Sequence, residues 1–143
     1  MSRVNGVGGC FIFSEDPVAL AEWYDEAFEI GFEKYGPTAF GFTFAALDVD
    51  DPSVRRETVF SIMKAKSKVP SMPDNEDPKD MYGDQPYMVN LRVDDLDATL
   101  AHLETLGVES LGRQNEGYGD FSWVRDPDGN RVELWQAKVP FTS

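Results

Sequence analysis

Apolar and polar residues follow two periods along this chain, which predict short strands and two amphipathic helices. "GGCFIF" reads as a strand, and "SEDPVALAEWYDEAFEIGF" then places apolar residues at helical spacing, at Leu20, Tyr24, Ala27 and Phe28. Asp16 has the side chain of a helix N-cap, and Pro17 suits the first helical position. "AFGFTFAALDVD" and "RRETVFSIMKA" predict two further strands, separated by "DPSV".

The second half of the chain repeats this order of elements. "YMVNLRV" predicts a strand, Asp95 caps a second helix, and Gly107 ends it. The apolar face of that helix contains leucines at helical spacing, Leu96, Leu100, Leu103 and Leu106. "FSWVRDPDGNRVELWQ" predicts a closing hairpin. Because Asp95 lies 79 residues after Asp16, we interpret the chain as a duplicated unit of a strand, a helix and three strands.

A proline-rich segment separates the two halves. "KSKVPSMPDNEDPKDMYGDQP" has no hydrophobic period and is rich in Pro, Asp and Lys, so it predicts a connecting loop. The length of 143 residues suits one domain. We therefore predict a single domain with modules at about 1–66 and 86–143, joined by a loop at 67–85.

The closing hairpin is specific enough to predict its register. In "DPDG", Asp126 and Pro127 suit the first two positions of a type I turn, and Gly129 suits the left-handed residue that follows. This turn places Trp123 opposite Glu133. Strand alternation then puts six side chains on one face, Phe121, Trp123, Arg125, Arg131, Glu133 and Trp135. The opposite face, which we expect to pack under a helix, contains Ser122, Val124, Val132 and Leu134.

These strands supply a candidate ligand site. Burying a carboxylate without a partner is costly, so Glu133 in an aromatic wall requires an explanation. Aromatic walls with a few polar groups are typical of small-molecule sites. We take Glu133 as the candidate catalytic group, with candidate ligand contacts at Phe11, Phe13, Met88, Asn90, Arg92, Phe121, Trp123, Arg131 and Trp135. Two alternatives stay open: Glu133 pairs with Arg131 or Arg125, or the aromatic residues belong to the core.

Charge and composition narrow the choice of partners. The net charge of −13 argues against nucleic acid and anionic membranes, and it permits a cationic ligand or serves solubility alone. The apolar runs are too short to span a bilayer, and "MSRVNGVGGCFIF" lacks a signal-peptide core. Since Cys10 is the only cysteine, no intrachain disulfide is possible, and we predict a cytoplasmic protein. We expect Cys10 to be a buried, inert thiol.

The duplicated module and three segments resemble the vicinal oxygen chelate superfamily. The segments are "SEDPVALAEWYDEAF", "MVNLRVDDLDATLAHLETLGVE" and "DPDGNRVELW". The superfamily includes glyoxalase I, bleomycin-resistance proteins, fosfomycin-resistance enzymes and extradiol dioxygenases. The resemblance implies an α+β fold of two βαβββ modules, whose curled mixed sheets surround a U-shaped cleft, and a homodimer.

The resemblance also implies where a metal would be held. Metal-dependent members place one ligand on the first strand and one on the last strand of each module. In this sequence those positions are Gly9, Thr58, Met88 and Glu133. Glu57 is expected on the opposite strand face, and the only histidine, His102, on the exposed flank of the second helix. Because zinc sites use three or more protein ligands, we expect no metal and no cofactor.

Three functional classes agree with these observations. The first is a metal-free protein, similar to bleomycin-resistance proteins, that binds a small cationic or aromatic organic molecule in the cleft. The alternative is a metal-dependent lyase, isomerase or dioxygenase that uses Glu133 as a ligand or a general base. The third is a regulatory or interaction module with an empty cleft.

Overall fold

The computed structural model describes residues 3–67, 83 and 85–138, which form two compact units. The first unit contains β1 (Gly9–Ser14), most of α1 (Pro17–Phe28), β2 (Glu33–Gly36), β3 (Ala39–Leu47) and β4 (Arg55–Lys64). The second contains β5 (Val89–Arg92), α2 (Leu96–Thr105), β6 (Arg113–Glu116), β7 (Gly119–Arg125) and β8 (Arg131–Ala137). The predicted α+β class with two βαβββ modules is confirmed. Most of the predicted loop at 67–85 lies outside the described residues.

Each unit has one four-stranded mixed sheet, and the two sheets share one topology. The strand order is β1-β4-β3-β2 in the first and β5-β8-β7-β6 in the second. The first and last strands of each unit pair in parallel, and the remaining neighbours pair antiparallel. The strand that closes each unit is therefore central in its sheet, between the first strand and the third.

The helices begin at the caps that the sequence predicts. The Asp16 carboxylate accepts a hydrogen bond from the backbone N–H of Ala19 at 3.1 Å, and Asp95 accepts one from Ala98 at 3.0 Å. Gly107 follows α2 with a φ of +78°, a conformation that favours glycine. Within the described part of the chain, no helix has the length and apolar character needed to cross a membrane.

One face of the second sheet forms the core of its unit. The α2 helix packs against β7 and β8. The side chains expected beneath it are all completely buried, namely Ser122, Val124, Val132 and Leu134. Leu96 and Leu103 of α2 are also completely buried, and each such leucine contributes about 1.5–3 kcal/mol. Because strands alternate, this burial leaves the opposite face of the sheet available for a site.

Candidate ligand-binding site

The hairpin of β7 and β8 has the register predicted from its turn. Its cross-strand pairs include Trp123–Glu133 and Phe121–Trp135. Gly129 has a φ of +86°, which glycine adopts without a steric penalty. The buried Asp126 carboxylate accepts hydrogen bonds from the backbone N–H groups of Asp128 and Asn130, both at 2.9 Å. The turn residues therefore determine which face of β8 presents Glu133.

The Glu133 carboxylate is held at both oxygens by uncharged donors. Asn90 Nδ2 on the adjacent β5 donates to Oε2 at 2.7 Å, and Trp123 Nε1 donates to Oε1 at 3.1 Å. Trp123 is only 1% exposed, so its indole N–H has little access to water as an alternative acceptor. Neither Arg125 nor Arg131 forms an ion pair with Glu133, so that sequence-based alternative is wrong.

Aromatic rings cover the sheet surface beside this carboxylate. The Phe121 ring lies between two nearly parallel indoles, with centroid distances of 6.5 Å to Trp123 and 6.2 Å to Trp135. Tyr118 approaches the Phe121 ring edge-on at 5.7 Å. A side chain at Gly119 would collide with the Trp135 indole, so the glycine allows that ring to approach the β7 backbone closely. The result is a continuous aromatic floor that ends at Glu133.

A pocket of about 270 Å³ opens above this floor. Its lining residues are Gln114, Glu116, Tyr118, Phe121, Trp123 and Glu133. Sequence reasoning missed the first three. Gln114 and Glu116 belong to β6, where the polar sequence "RQNE" carries no hydrophobic alternation. The available signal was the short "GY" link between β6 and β7, which places both side chains on the face of Phe121.

The pocket is acidic and its acids lack cationic partners. Glu116 accepts a hydrogen bond from the Gln114 amide, and Glu133 accepts the two bonds described above. Among the residues that the structure describes, neither carboxylate has an ion-pair partner. Two negative charges therefore face one aromatic pocket.

The structure places the other predicted contacts on several different elements. Asn90 and Arg92 share the Glu133 face of the sheet, because β5 and β8 pair in register, and Met88 directly precedes β5. Trp135 supports the floor through Phe121. Arg131 is 5% exposed, and its guanidinium lies against Gly83, which gives it a place in the packing near the turn. Phe11 and Phe13 are half exposed on β1, in the first unit.

The match to a known family covers most of the chain. The model of the glyoxalase-like domain matches residues 10–135. The chain belongs to the glyoxalase-like family of the vicinal oxygen chelate superfamily. No curated protein matches the sequence of this glyoxalase-like chain.

Solved structures with the same fold include one described as a binding protein and one described as a lyase. The chain is similar to TnmS3, an antibiotic binding protein from Streptomyces, at 22% identity and a TM-score of 0.59, covering 96% of this chain and 100% of that one. It is similar to lactoylglutathione lyase from Agrobacterium tumefaciens at 16% identity and a TM-score of 0.61, covering 94% and 96%. A glyoxalase/bleomycin resistance protein/dioxygenase from Nocardioides aligns at 11% identity and a TM-score of 0.64, covering 99% and 93%.

The two modules of this glyoxalase-like protein differ at the position that corresponds to Glu133. The parallel pairs five residues before each helix cap are Phe11–Ser61 and Asn90–Glu133. The counterpart of Glu133 is therefore Ser61, and the prediction of Thr58 is wrong. Residues 48–54 connect β3 to β4, whereas the shorter segment 126–130 connects β7 to β8, so a constant repeat offset does not hold across the turn.

The family's metal positions do not fit a metal centre in this chain. They contain Gly9, Ser61, Met88 and Glu133, of which only Glu133 is a charged ligand. The Ser61 hydroxyl is buried and donates to the carbonyl of Phe40 at 2.9 Å. Glu57 shares the sheet face of Ser61, contrary to expectation, but it is exposed and pairs with Arg55 at 2.9 Å. In the described ranges, no group of three or more His, Cys, Asp or Glu side chains is placed to hold a metal ion.

Two further titratable residues of this glyoxalase-like protein, Cys10 and His102, are not among those that line the pocket. Cys10 is half-buried on β1, and burial raises the pKa of its thiol. A raised pKa makes the nucleophilic thiolate scarce, which agrees with an unreactive cysteine. His102 is exposed on α2, as the sequence predicts.

Proposed function

We propose that this glyoxalase-like protein binds a small organic cation with an aromatic ring in the pocket of the second sheet, without a metal centre. The observation that carries this proposal is the Glu133 carboxylate. It is fixed by Asn90 and Trp123, both uncharged, at the end of an aromatic floor. Because neither donor is a cation, no neighbouring positive charge compensates the carboxylate. Its hydrogen bonds also hold it in one position before a ligand arrives, which lowers the entropic cost of binding.

The aromatic floor and the carboxylate favour the same ligand chemistry. Aromatic rings attract cations through their quadrupoles, by about 0.5–2 kcal/mol, and the rings of Tyr118 and Phe121 line the pocket. A hydrogen bond to a charged group contributes about 1.5–3 kcal/mol. We therefore expect a cationic compound to bind about ten- to a hundredfold more tightly than its neutral isostere.

The structural neighbours support binding as a function of this fold. TnmS3 is described as an antibiotic binding protein, and a lyase has the same fold. Because one fold serves both roles, the choice depends on the site. In this chain the unsuitable metal positions and the acidic aromatic pocket favour binding.

Metal binding separates this proposal from the superfamily's metal-dependent enzymes. We expect the purified protein to contain no stoichiometric metal, and zinc, nickel or manganese to leave its melting temperature unchanged. A metal that binds only the native state must raise that temperature. One tightly held metal per chain, lost in a Glu133→Gln variant, would favour the enzyme class instead.

The direct test compares biphenyl-4-carboxamidine with the neutral biphenyl-4-carboxamide by isothermal titration calorimetry. We expect the amidine to bind more tightly, and Glu133→Gln to remove about tenfold of its affinity while the amide is unaffected. Glutamine retains the shape of Glu133, and the exposed Asn90 amide can rotate to pair with it, so the substitution removes mainly charge. Glu104→Gln, on the exposed surface of α2, is the control for the loss of one negative charge.

The proposal fails if neither compound binds, or if the amidine binds equally to the wild type and Glu133→Gln. Equal losses in Glu133→Gln and Glu104→Gln would also contradict it, since the effect would then come from the overall charge of −13.

A further inference from the structure

We infer that the pocket selects a ligand with two cationic groups on one aromatic core, and that Glu116 is the second counter-charge. This inference rests on the proposed function, because Glu133 supplies the first counter-charge. Glu116 and Glu133 line the same pocket from different strands. A single cation can neutralise only one of them.

The sheet register places the two carboxylates at opposite corners of the floor. Glu116 on β6 pairs with Gly119, and Glu133 on β8 pairs with Trp123. Their backbones are therefore separated by two strand spacings, about 10 Å, across the sheet, and by about 13 Å along β7. Both side chains reach into the pocket, which shortens the distance between the charges. The ligand that touches both is longer than a single ring.

An aromatic ring lies on the diagonal between the carboxylates. Phe121 is midway between Gly119 and Trp123 on β7, and it pairs with Gln114 of β6 on one side. The two nearly parallel indoles on either side of this ring fix its position, and the ring lines the pocket. Aromatic ligands pack favourably against such rings, edge-on or offset. An extended aromatic core over Phe121 would direct one end to Glu133 and the other to Glu116.

The bonding of Glu116 parallels that of Glu133. Glu116 is half-buried, and its side-chain partner is the uncharged Gln114 amide. In the described part of the second unit, the cations Arg113 and Lys138 pair with Asp97 and Asp120 instead. Glu116 thus keeps a negative charge at the pocket wall, although neighbouring acids are neutralised.

A purely structural role for Glu116 predicts a different result. If Glu116 only orients Gln114 near the turn, glutamine at position 116 would preserve the amide contact and ligand affinity. If Glu116 is a counter-charge, the same substitution lowers affinity for dications alone. The number of charges on the probe therefore distinguishes the two roles.

The experiment uses two probes with one core, biphenyl-4-carboxamidine and biphenyl-4,4′-dicarboxamidine, in calorimetric titrations of the full chain. We expect the wild type to bind the dication about tenfold more tightly than the monocation. In Glu116→Gln that ratio should fall to about two, the statistical advantage of two equivalent ends. Monocation affinity should stay within about twofold, and Glu104→Gln should leave both affinities unchanged.

The outcomes separate this inference from the proposed function. If the monocation binds in a Glu133-dependent manner but Glu116→Gln leaves the ratio unchanged, the dication inference is wrong and the proposed function stands. An equal loss for both probes in Glu116→Gln, with the wild-type melting temperature, also overturns it. If neither probe binds the wild type, the proposed function fails and this inference fails with it.

Discussion

Gly119 is a sensitive position for the aromatic floor. A methyl group built on Gly119 lies 2.8 Å from Trp135 Cδ1, closer still to Trp135 Nε1, and 2.9 Å from the carbonyl oxygen of Gln136. Carbon atoms pack best at about 3.5–4.0 Å. In a Gly119→Ala variant the indole must therefore move away by about 0.7 Å or more, and the added methyl group also crowds the carbonyl oxygen of Gln136 in β8.

The expected cost follows from this overlap. Inserting a methyl group into a well-packed site costs about 1–3 kcal/mol. For a chain of this length, each kcal/mol changes the melting temperature by about 3–4 °C. We therefore expect Gly119→Ala to melt about 3–12 °C below the wild type. Because Trp135 stacks on Phe121, the near-ultraviolet circular dichroism of these rings should change as well.

Gly117 provides the matched control two residues earlier. A methyl group there meets no atom within 4 Å, and its φ is not in the left-handed region. Gly117→Ala should melt at or slightly above the wild-type temperature, because alanine restricts the unfolded chain. If the two variants melt within a degree of each other and keep the wild-type spectrum, the described packing of Trp135 on Gly119 is wrong.

Three further predictions concern the core, the acid limit of stability and assembly. Leu134→Ala should lower the free energy of unfolding in urea by about 2–5 kcal/mol, because Leu134 is completely buried; a loss below about 1 kcal/mol would contradict its place in the core. The pKa of Asp48 lies below its ordinary 3.8, first because its carboxylate accepts a hydrogen bond from the Asp50 backbone N–H and second because it accepts one from the Arg56 side chain. The stabilisation that the Asp48 carboxylate contributes is present above pH 3.8 and is lost as the pH falls through the lower folded-state pKa. Asp48→Asn should therefore have a lower free energy of unfolding than the wild type at neutral pH, and this difference should disappear in stronger acid. Exposed sheet edges favour a homodimer, so light scattering at micromolar concentration should give about twice the 16.0 kDa chain mass, and a 16.0 kDa species would count against it.

The features that the sequence predicted correctly depend on short segments. The hairpin register follows from Asp126 and Gly129, because the turn type sets the pairing without reference to distant residues. The helix starts follow from Asp16 and Asp95, whose carboxylates bond within the same turn. Local geometry of this kind can be predicted from a short segment of sequence.

The features that could not be predicted from the sequence depend on the lengths of the turns or lie on strands made of polar residues. The offset between the modules changes across residues 48–54, so counting from Glu133 led to Thr58 and not to Ser61. Gln114 and Glu116 lie on a strand that is held by its neighbour β7, and its own composition gives no strand signal. Tertiary pairing, and not local propensity, decides such positions.

The partners of Glu133 differ in how far they lie along the chain. Trp123 is ten residues away across a tight turn, whereas Asn90 is separated from it by 43 residues. Closing the longer loop carries the greater entropic cost, so the hairpin is expected to form early in folding and β5 to dock late. Mutations in β5 should accordingly speed unfolding more than they slow folding. We therefore expect the Glu133 carboxylate to gain its hydrogen bond from Asn90 later in folding than the one from Trp123.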